Sequence, residues 1–268
     1  MKLFAFDSGV GGLSAIAPFL RQAKEEVSLT YFGDLANLPY GTKSPEHIRE
    51  LVRKNLEHLL LDSYDLAILA CNTASAHALD VAKSLTDRVK TPLVGVIEAS
   101  CKAAVASKAK RVLVLGTGAT VKSESYLRTL RALKPDIQVA QVACPLFVPL
   151  VEDLLYEGEI VEAVARRYLD SVVQPGDAVV LGCTHYPFLL GALSRLYQDV
   201  AWVDAGTALL SQLELKSWLA PTPQKTPNYR LNLLFSDNTL SLEKVHHYAQ
   251  QLGLDASKVT LKILRAIS

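Results

Sequence analysis

Two cysteines stand in matched surroundings: Cys71 within Ala70-Cys71-Asn72-Thr73-Ala74-Ser75, and Cys183 within Leu181-Gly182-Cys183-Thr184-His185. Each follows a short apolar run, over 66–69 and 178–181, and each precedes a segment with helical character. The pattern predicts a strand ending in a thiol, a polar pair, then a helix N-terminus. A thiol titrates at about 8.5 and its thiolate is the basic form. The free N–H groups and dipole at a helix N-terminus favour that anion. A single strand-end cysteine reads equally well as a small core residue. Two of them, at two strand ends, offer one acid/base for each face of a substrate. Cys101, inside a predicted helix, and Cys144, before Pro145, lack this context and read as core.

Other polar groups fall near these turns. Asp7 closes an apolar run and precedes Ser8-Gly9-Val10-Gly11-Gly12. It either caps the glycine turn or serves a thiol as hydrogen-bond partner or proton acceptor. Ser8 and the N–H groups of the turn suit a carboxylate ligand. His185, two residues beyond Cys183, puts an imidazole near a thiolate, and Glu152 is a second orienting group. The plainer readings are a backbone-bonded histidine and a surface glutamate. His47, His58, His77, His246 and His247 lie in helical stretches without a chemical partner. The glycine turn matches neither the phosphate-loop nor the dinucleotide pattern, and Val121 takes the third glycine position after Gly116-x-Gly118. No C-x-x-C, H-x-x-x-H or H-E-x-x-H spacing occurs, so neither a metal nor an organic cofactor is expected.

For these groups to meet, regular elements must carry them to one edge. Apolar runs over 2–7, 27–32, 65–70, 92–96, 111–115, 137–142, 178–181 and 200–203 predict strands. Helical stretches alternate with them over 13–23, 44–62, 74–86, 97–107, 123–133, 145–155, 160–173, 187–197 and 206–219, with Ser44 and Pro45 opening the second. Such alternation predicts parallel α/β sheets, whose ligands bind at the carboxyl ends of the strands. The three prolines over 221–228 mark a linker. A strand over 231–235, a helix over 241–252 and a strand over 258–263 then return to the first domain. A weak repeat runs through the chain: Asp7 precedes Cys71 by 64 residues and Thr120 precedes Cys183 by 63. It predicts two similar α/β domains facing each other, residues 1–95 with 210–268, and residues 96–209.

With 268 residues, half of them apolar, the chain has material for a sizeable core. Its 28 basic and 27 acidic residues form neither a basic stripe nor a polybasic tail, so neither nucleic acid nor a membrane is an expected partner. Asp7 cuts the first apolar run too short for a signal segment, and the uncharged run over 178–194 is too short to span a bilayer. The expectation is a cytoplasmic protein with four reduced thiols.

Six blocks in order carry a resemblance: Phe6-Asp7-Ser8-Gly9-Val10-Gly11-Gly12-Leu13, Tyr31-Phe32-Gly33-Asp34, Leu38-Pro39-Tyr40-Gly41, the Cys71 block, Cys144-Pro145-Leu146-Phe147-Val148-Pro149-Leu150-Val151-Glu152, and Leu181 to Pro187. Over roughly residues 3–215 the chain resembles the glutamate racemases, cofactor-independent members of the aspartate/glutamate racemase superfamily. The resemblance implies an α/β fold of two pseudo-symmetric, doubly wound parallel-sheet domains with the active site in the cleft between them. It implies that Cys71 and Cys183 are the catalytic acid/bases, that Asp7 and His185 assist them, and that Glu152 is oriented toward His185. It implies that Asp7, Ser8, Tyr40, Gly41, Asn72, Thr73, Thr117, Thr120, Thr184 and His185 hold glutamate. The implied activity interconverts L- and D-glutamate without cofactor or metal and supplies D-glutamate for peptidoglycan and so for cell shape. Members are often homodimers; the sequence itself leaves the oligomeric state open. The departures, Glu98-Ala99-Ser100 after Ile97 and Phe235-Ser236-Asp237-Asn238 in the tail, lie outside the catalytic set. A ligand-binding protein with an idle site is a third class of reading, against which the intact cysteines on both sides argue, and two rival enzyme readings stand beside it. One is a racemase for aspartate or another amino acid. The other is a hydrolase using Cys183 with His185 as nucleophile and base, which leaves Cys71 without a role.

Overall fold

The structure is a computed structural model, and it describes residues 1–212 and 223–264. The first apolar run forms β1 (Lys2–Asp7), buried from Leu3 onward. The chain continues through α1 (Leu13–Gln22), β2 (Val27–Gly33), α2 (Pro45–Leu59), β3 (Leu66–Leu69), α3 (Asn72–Arg88) and β4 (Leu93–Gly95). From α4 (Val96–Ala106) it enters a second series: β5 (Arg111–Gly116), α5 (Gly118–Lys122), α6 (Ser125–Leu133), β6 (Gln138–Ala143), α7 (Phe147–Glu152), α8 (Glu159–Leu169), β7 (Ala178–Gly182), α9 (Leu190–Leu196), β8 (Ala201–Val203) and α10 (Ala205–Gln212). The tail holds β9 (Tyr229–Phe235), α11 (Leu242–Gln251) and β10 (Val259–Ile263).

All the strand pairs are parallel. One sheet has the order β10-β9-β2-β1-β3-β4, the other β6-β5-β7-β8. The order β2-β1-β3-β4 in the first thus recurs as β6-β5-β7-β8 in the second, which is the expected fold class with its internal repeat. Within that shared four-strand order the chain reverses its direction of travel once, between β1 and β3 in the first sheet and between β5 and β7 in the second. The crevice beyond the strand ends at such a reversal is where doubly wound sheets bind ligands. The tail adds to the first sheet: β9 lies along β2, from Val27 beside Tyr229 to Gly33 beside Phe235.

Side chains alternate faces along each strand, and the core follows that alternation. Leu3 and Ala5 of β1 pack into a cluster shared with Phe19 of α1 and with Leu113, Leu115 and Leu181 of the second sheet. Phe4 and Phe6 point the other way, onto Ile48 and Val52 of α2 and Ala78 of α3. Val112, Val114 and Val180 form a third cluster with Tyr126 and Leu130 of α6. The strand ends are therefore held by packing on both faces.

Two predicted helices differ from what forms, and a third is described only in part. The one expected over 123–133 begins at Ser125 as α6, and a short helix that was not expected, α5, precedes it, the two parted by Glu124, which turns left-handed (φ 54°). The stretch expected over 187–197 is a 3-10 turn, Tyr186–Leu189, followed by α9. The helix expected over 206–219 is seen to Gln212; its remainder, and the first two residues of the predicted linker, lie outside the described residues. Ser44 caps α2 as expected, accepting the His47 N–H at 3.2 Å, a bond worth about 1 kcal/mol. Among the described residues no helix is long and apolar enough to cross a membrane.

Candidate active site

The ends of β1, β3, β5 and β7 converge on one cavity of about 20 Å³. Ser8, Tyr40, Gly41, Cys71, Asn72, Thr73, Thr117, Cys183, Thr184 and His185 all line it, joined by Leu38, Pro39 and Val148. Three expected site residues stand one layer back: Asp7 bonds to Thr184, Thr120 to Thr73 and Glu152 to His185.

On the first wall the chain leaves β3 and turns at Cys71 into α3. The Cys71 Sγ caps that helix, accepting the Ala74 N–H at 3.4 Å, and lies 3.5 Å from Ser8 Oγ. Burial pushes the thiol up to about 12, the Asp7 charge adds to this, and the Ala74 N–H and Ser8 oppose it. Asp7 accepts the Gly9 N–H at 2.9 Å and the Thr184 hydroxyl at 3.1 Å. Burial raises its carboxyl to about 6, against the pull of His185 and these hydrogen bonds. Tyr31 pins the glycine turn from below, donating to Gly9 O at 2.6 Å.

The second wall is built differently. Cys183 follows β7 directly, and the next segment is the 3-10 turn at Tyr186, so the expected helix N-terminus behind this thiol is not there. Its neighbour is an imidazole: Cys183 Sγ lies 4.0 Å from His185 Nδ1. The far side of the ring, Nε2, is 2.6 Å from Oε1 of Glu152, the last residue of α7. Burial alone would lower the His185 pKa, but contact with Cys183 and then Glu152 outweighs it and raises the value to about 10. The glycine turn makes room for this ring, since a Cβ on Gly11 would sit 2.4 Å from His185 Nδ1. Ser14 Oγ ties the segment down by donating to Thr184 O at 2.7 Å.

Across the mouth the walls touch. The hydroxyls of Thr73, Thr117 and Thr120 form a triangle with edges of 3.0, 3.1 and 3.0 Å. A Cβ on Gly41 would lie 2.5 Å from Thr117 Cβ, so only glycine permits this approach. Tyr40 is held by its hydroxyl, which donates to Asp34 Oδ2 at 2.7 Å. The buried Asp34 carboxylate also accepts from Asn55 at 2.9 Å and from Ser236 of the tail at 2.8 Å.

Sequence reasoning gave no role to Asp34, Asn55, Tyr31 or Ser14. The first and third stand in a quoted block, Tyr31-Phe32-Gly33-Asp34, which was their only signal. His77, expected to lack a partner, has its Nε2 3.1 Å from Ala119 O. Cys101 and Cys144 are buried and unbridged. Among the described residues no group of three or more histidine, cysteine, aspartate or glutamate side chains is placed to hold a metal ion.

Comparison with known proteins adds an independent line. Residues 8–213 match the family model described as Asp/Glu/Hydantoin racemase. A glutamate racemase of Sulfurihydrogenibium sp. is 40% identical over 220 residues, covering 80% of this chain and 82% of the relative. The crystal structure of glutamate racemase from Campylobacter jejuni superposes with a TM-score of 0.82 at 31% identity, over 95% of this chain and 99% of that one. Glutamate racemase from Francisella tularensis, solved in complex with D-glutamate, gives 0.81 at 29% identity, over 98% and 97%.

Proposed function

The chain belongs to the Asp/Glu/Hydantoin racemase family, and from that premise we propose that it interconverts L- and D-glutamate by proton transfer between two thiols. It is an amino-acid racemase, an isomerase. The observation that carries the two-thiol reading is that Cys71 and Cys183 line one cavity, each delivered by a different sheet.

In this reading the thiolate on one wall removes the α-hydrogen, the electron pair passes into the α-carboxylate, and the thiol opposite protonates Cα from the other face. The product is the enantiomer, with one thiol protonated and the other ionised in exchange. The α-hydrogen is a very weak acid, so base strength matters. A thiol buried until its pKa reaches about 12 is a stronger base, once ionised, than an exposed thiol. Asp7 attends Cys71, and the His185–Glu152 pair attends Cys183. Donors at Ser8, Asn72, Thr73 and Thr184 surround the place where the carboxylate charge grows, and a preorganised donor of this kind is worth about 3 kcal/mol. The cavity of about 20 Å³ is of a size for a water molecule, so glutamate enters with the walls apart. On this view residues 1–95 with 210–268 and residues 96–209 separate as two bodies. D-glutamate so made would feed peptidoglycan in the cytoplasm, and the racemase would work as a homodimer.

The test is isotopic. In D₂O at low conversion and with no added cofactor, L-glutamate should yield D-glutamate carrying deuterium at Cα, while recovered L-glutamate stays protiated. Mass spectrometry of the separated enantiomers reads both. Substantial protium in the D-product would show one base carrying the original proton across, and no exchange at all would remove the racemase reading for this substrate.

A further inference from the structure

Asn72 has an anomaly. It is buried on the cavity wall between Cys71 and Thr73, and its Oδ1 is bonded at 2.6 Å to the hydroxyl of Tyr126, which is 54 residues away on α6 behind the other sheet. Its Nδ2 is buried with no hydrogen-bond partner. Buried amide donors are nearly always paired, and one left over at a ligand cavity points to an acceptor that arrives with the ligand. The bond length settles which way the amide faces. A separation of 2.6 Å is short for N–H···O and ordinary for O–H···O, so the phenol donates and the amide oxygen is the atom it holds. Burial lifts the Tyr126 pKa far above the ordinary phenol value, which keeps that proton in place. With Oδ1 engaged from behind, only the N–H₂ side is left for the cavity.

We infer that Tyr126 is a positioning residue: it locks the Asn72 amide so that Nδ2 is presented to a carboxylate of the bound substrate. The inference deepens the glutamate reading and rests on it for the identity of that carboxylate. Without the phenol the amide is free to turn its oxygen to the cavity, where it repels the same group. Because Tyr126 belongs to the second sheet's helices and Asn72 to the first's, the donor is aimed only while the two layers are in contact.

A binding cycle tests this. Calorimetry with DL-glutamate, already racemic so that turnover does not alter it, gives Kd for wild type, Tyr126→Phe, Asn72→Ala and the double variant. Tyr126→Phe should weaken binding about fivefold with kcat changed less than about twofold, and should add nothing further in the Asn72→Ala background. An effect of Tyr126→Phe that persists undiminished in the Asn72→Ala background, or one that falls on kcat alone, would overturn the inference. A second arm leaves Tyr126 untouched. Asn72→Asp puts an anion where the donor was and should bind at least about tenfold more weakly than Asn72→Ala; equal or tighter binding would mean that Nδ2 does not face the ligand. Wild-type turnover is read separately, so a protein that binds glutamate without racemising it would end the catalytic reading while the cycle still decides Tyr126.

Discussion

The two cavity walls descend from one pattern, a strand-end cysteine at a sheet's reversal point, yet each thiol is served by different physics. Cys71 has behind it the start of α3, which kinks at Ala78, a backbone N–H on its sulfur, and a buried carboxylate nearby that makes ionisation harder. Cys183 has no such helix but a histidine whose proton Glu152 and the thiol itself hold in place. One base is thus made strong by burial next to negative charge, and the other is attended by an adjacent positive charge. Equal sequence patterns at the strand ends did not bring equal electrostatics, because the partners come from elsewhere in the chain.

The hardest blow to the comparison is to remove one thiol. Cys71→Ala and Cys183→Ala should each lower racemisation by at least about 10³-fold, in both directions, because every turnover needs both. Each variant should still exchange the α-hydrogen of one enantiomer with D₂O, and the two variants should exchange opposite enantiomers. Circular dichroism reads the first effect and NMR the second. Retention of more than a few per cent of turnover by either would break the pairing of walls.

Removing an attendant should cost less, on the order of 10²-fold in kcat for Asp7→Asn or His185→Asn. The handedness is the sharper readout. With Cα-deuterated substrates, the isotope effect should grow for one enantiomer in Asp7→Asn and for the other in His185→Asn. Growth for the same enantiomer in both would mean that the attendants do not divide between the walls.

Asp7→Asn should also stabilise the fold. The Asp7 carboxyl is raised from 3.8 to about 6 in the folded protein, so ionised Asp7 works against folding above 3.8 and does so fully above about 6. The variant should gain about 3 kcal/mol at pH 8, and the gain should shrink as the pH falls through 6 and vanish below 3.8. Urea midpoints of the two proteins across that range check the sign.

The smallest effect belongs to Glu152→Gln. His185 keeps its charge up to about pH 10 partly through Glu152, so the variant should lose the imidazolium at lower pH. The alkaline limb of kcat should move down, with activity at pH 7 within about threefold of wild type. An unmoved limb would mean that Cys183 alone sets the state of the ring.

The sequence made the strand ends legible because apolar runs and turn residues are local signals. Asp7, Cys71 and Cys183 stand at strand ends by that reading alone, the parallel sheets follow from the alternation and the two similar domains from the weak repeat, while the strand order itself has no local signal. The cap on Cys71 was foreseen; the missing one behind Cys183 was not, since Pro187 reads as a helix opener while the chain there takes the tighter 3-10 turn. Nor was the short helix α5 before Glu124 visible, since Gly116-Thr117-Gly118 reads as a turn and a left-handed residue that is neither glycine nor asparagine carries no composition signal. The supports were least legible. Tyr126 on Asn72, Ser14 on Thr184 and Ser236 on Asp34 join residues 54, 170 and 202 positions apart, and no periodicity encodes a single side-chain bond over such a distance.

The return of β9 to the edge of β2 bears on how the protein is made. The four-stranded sheet is contiguous in the chain, from Arg111 to Val203, and has its strands in hand as soon as they leave the ribosome. The six-stranded sheet is not so fortunate: β2 emerges with one edge bare and waits for Tyr229, on the order of 10–40 s at about 5–20 residues per second. During that wait a row of unpaired N–H and C=O groups, flanked by Val27, Leu29 and Tyr31, is open to any neighbouring strand. The finished sheet instead ends on β10, five residues with Thr260 and Lys262 exposed, a short and charged border that discourages pairing. A ribosome stalled before the tail would therefore release a chain with much of the cavity wall already encoded, but with its stickiest strand uncovered, and aggregation rather than weak activity is the fate such a fragment should meet.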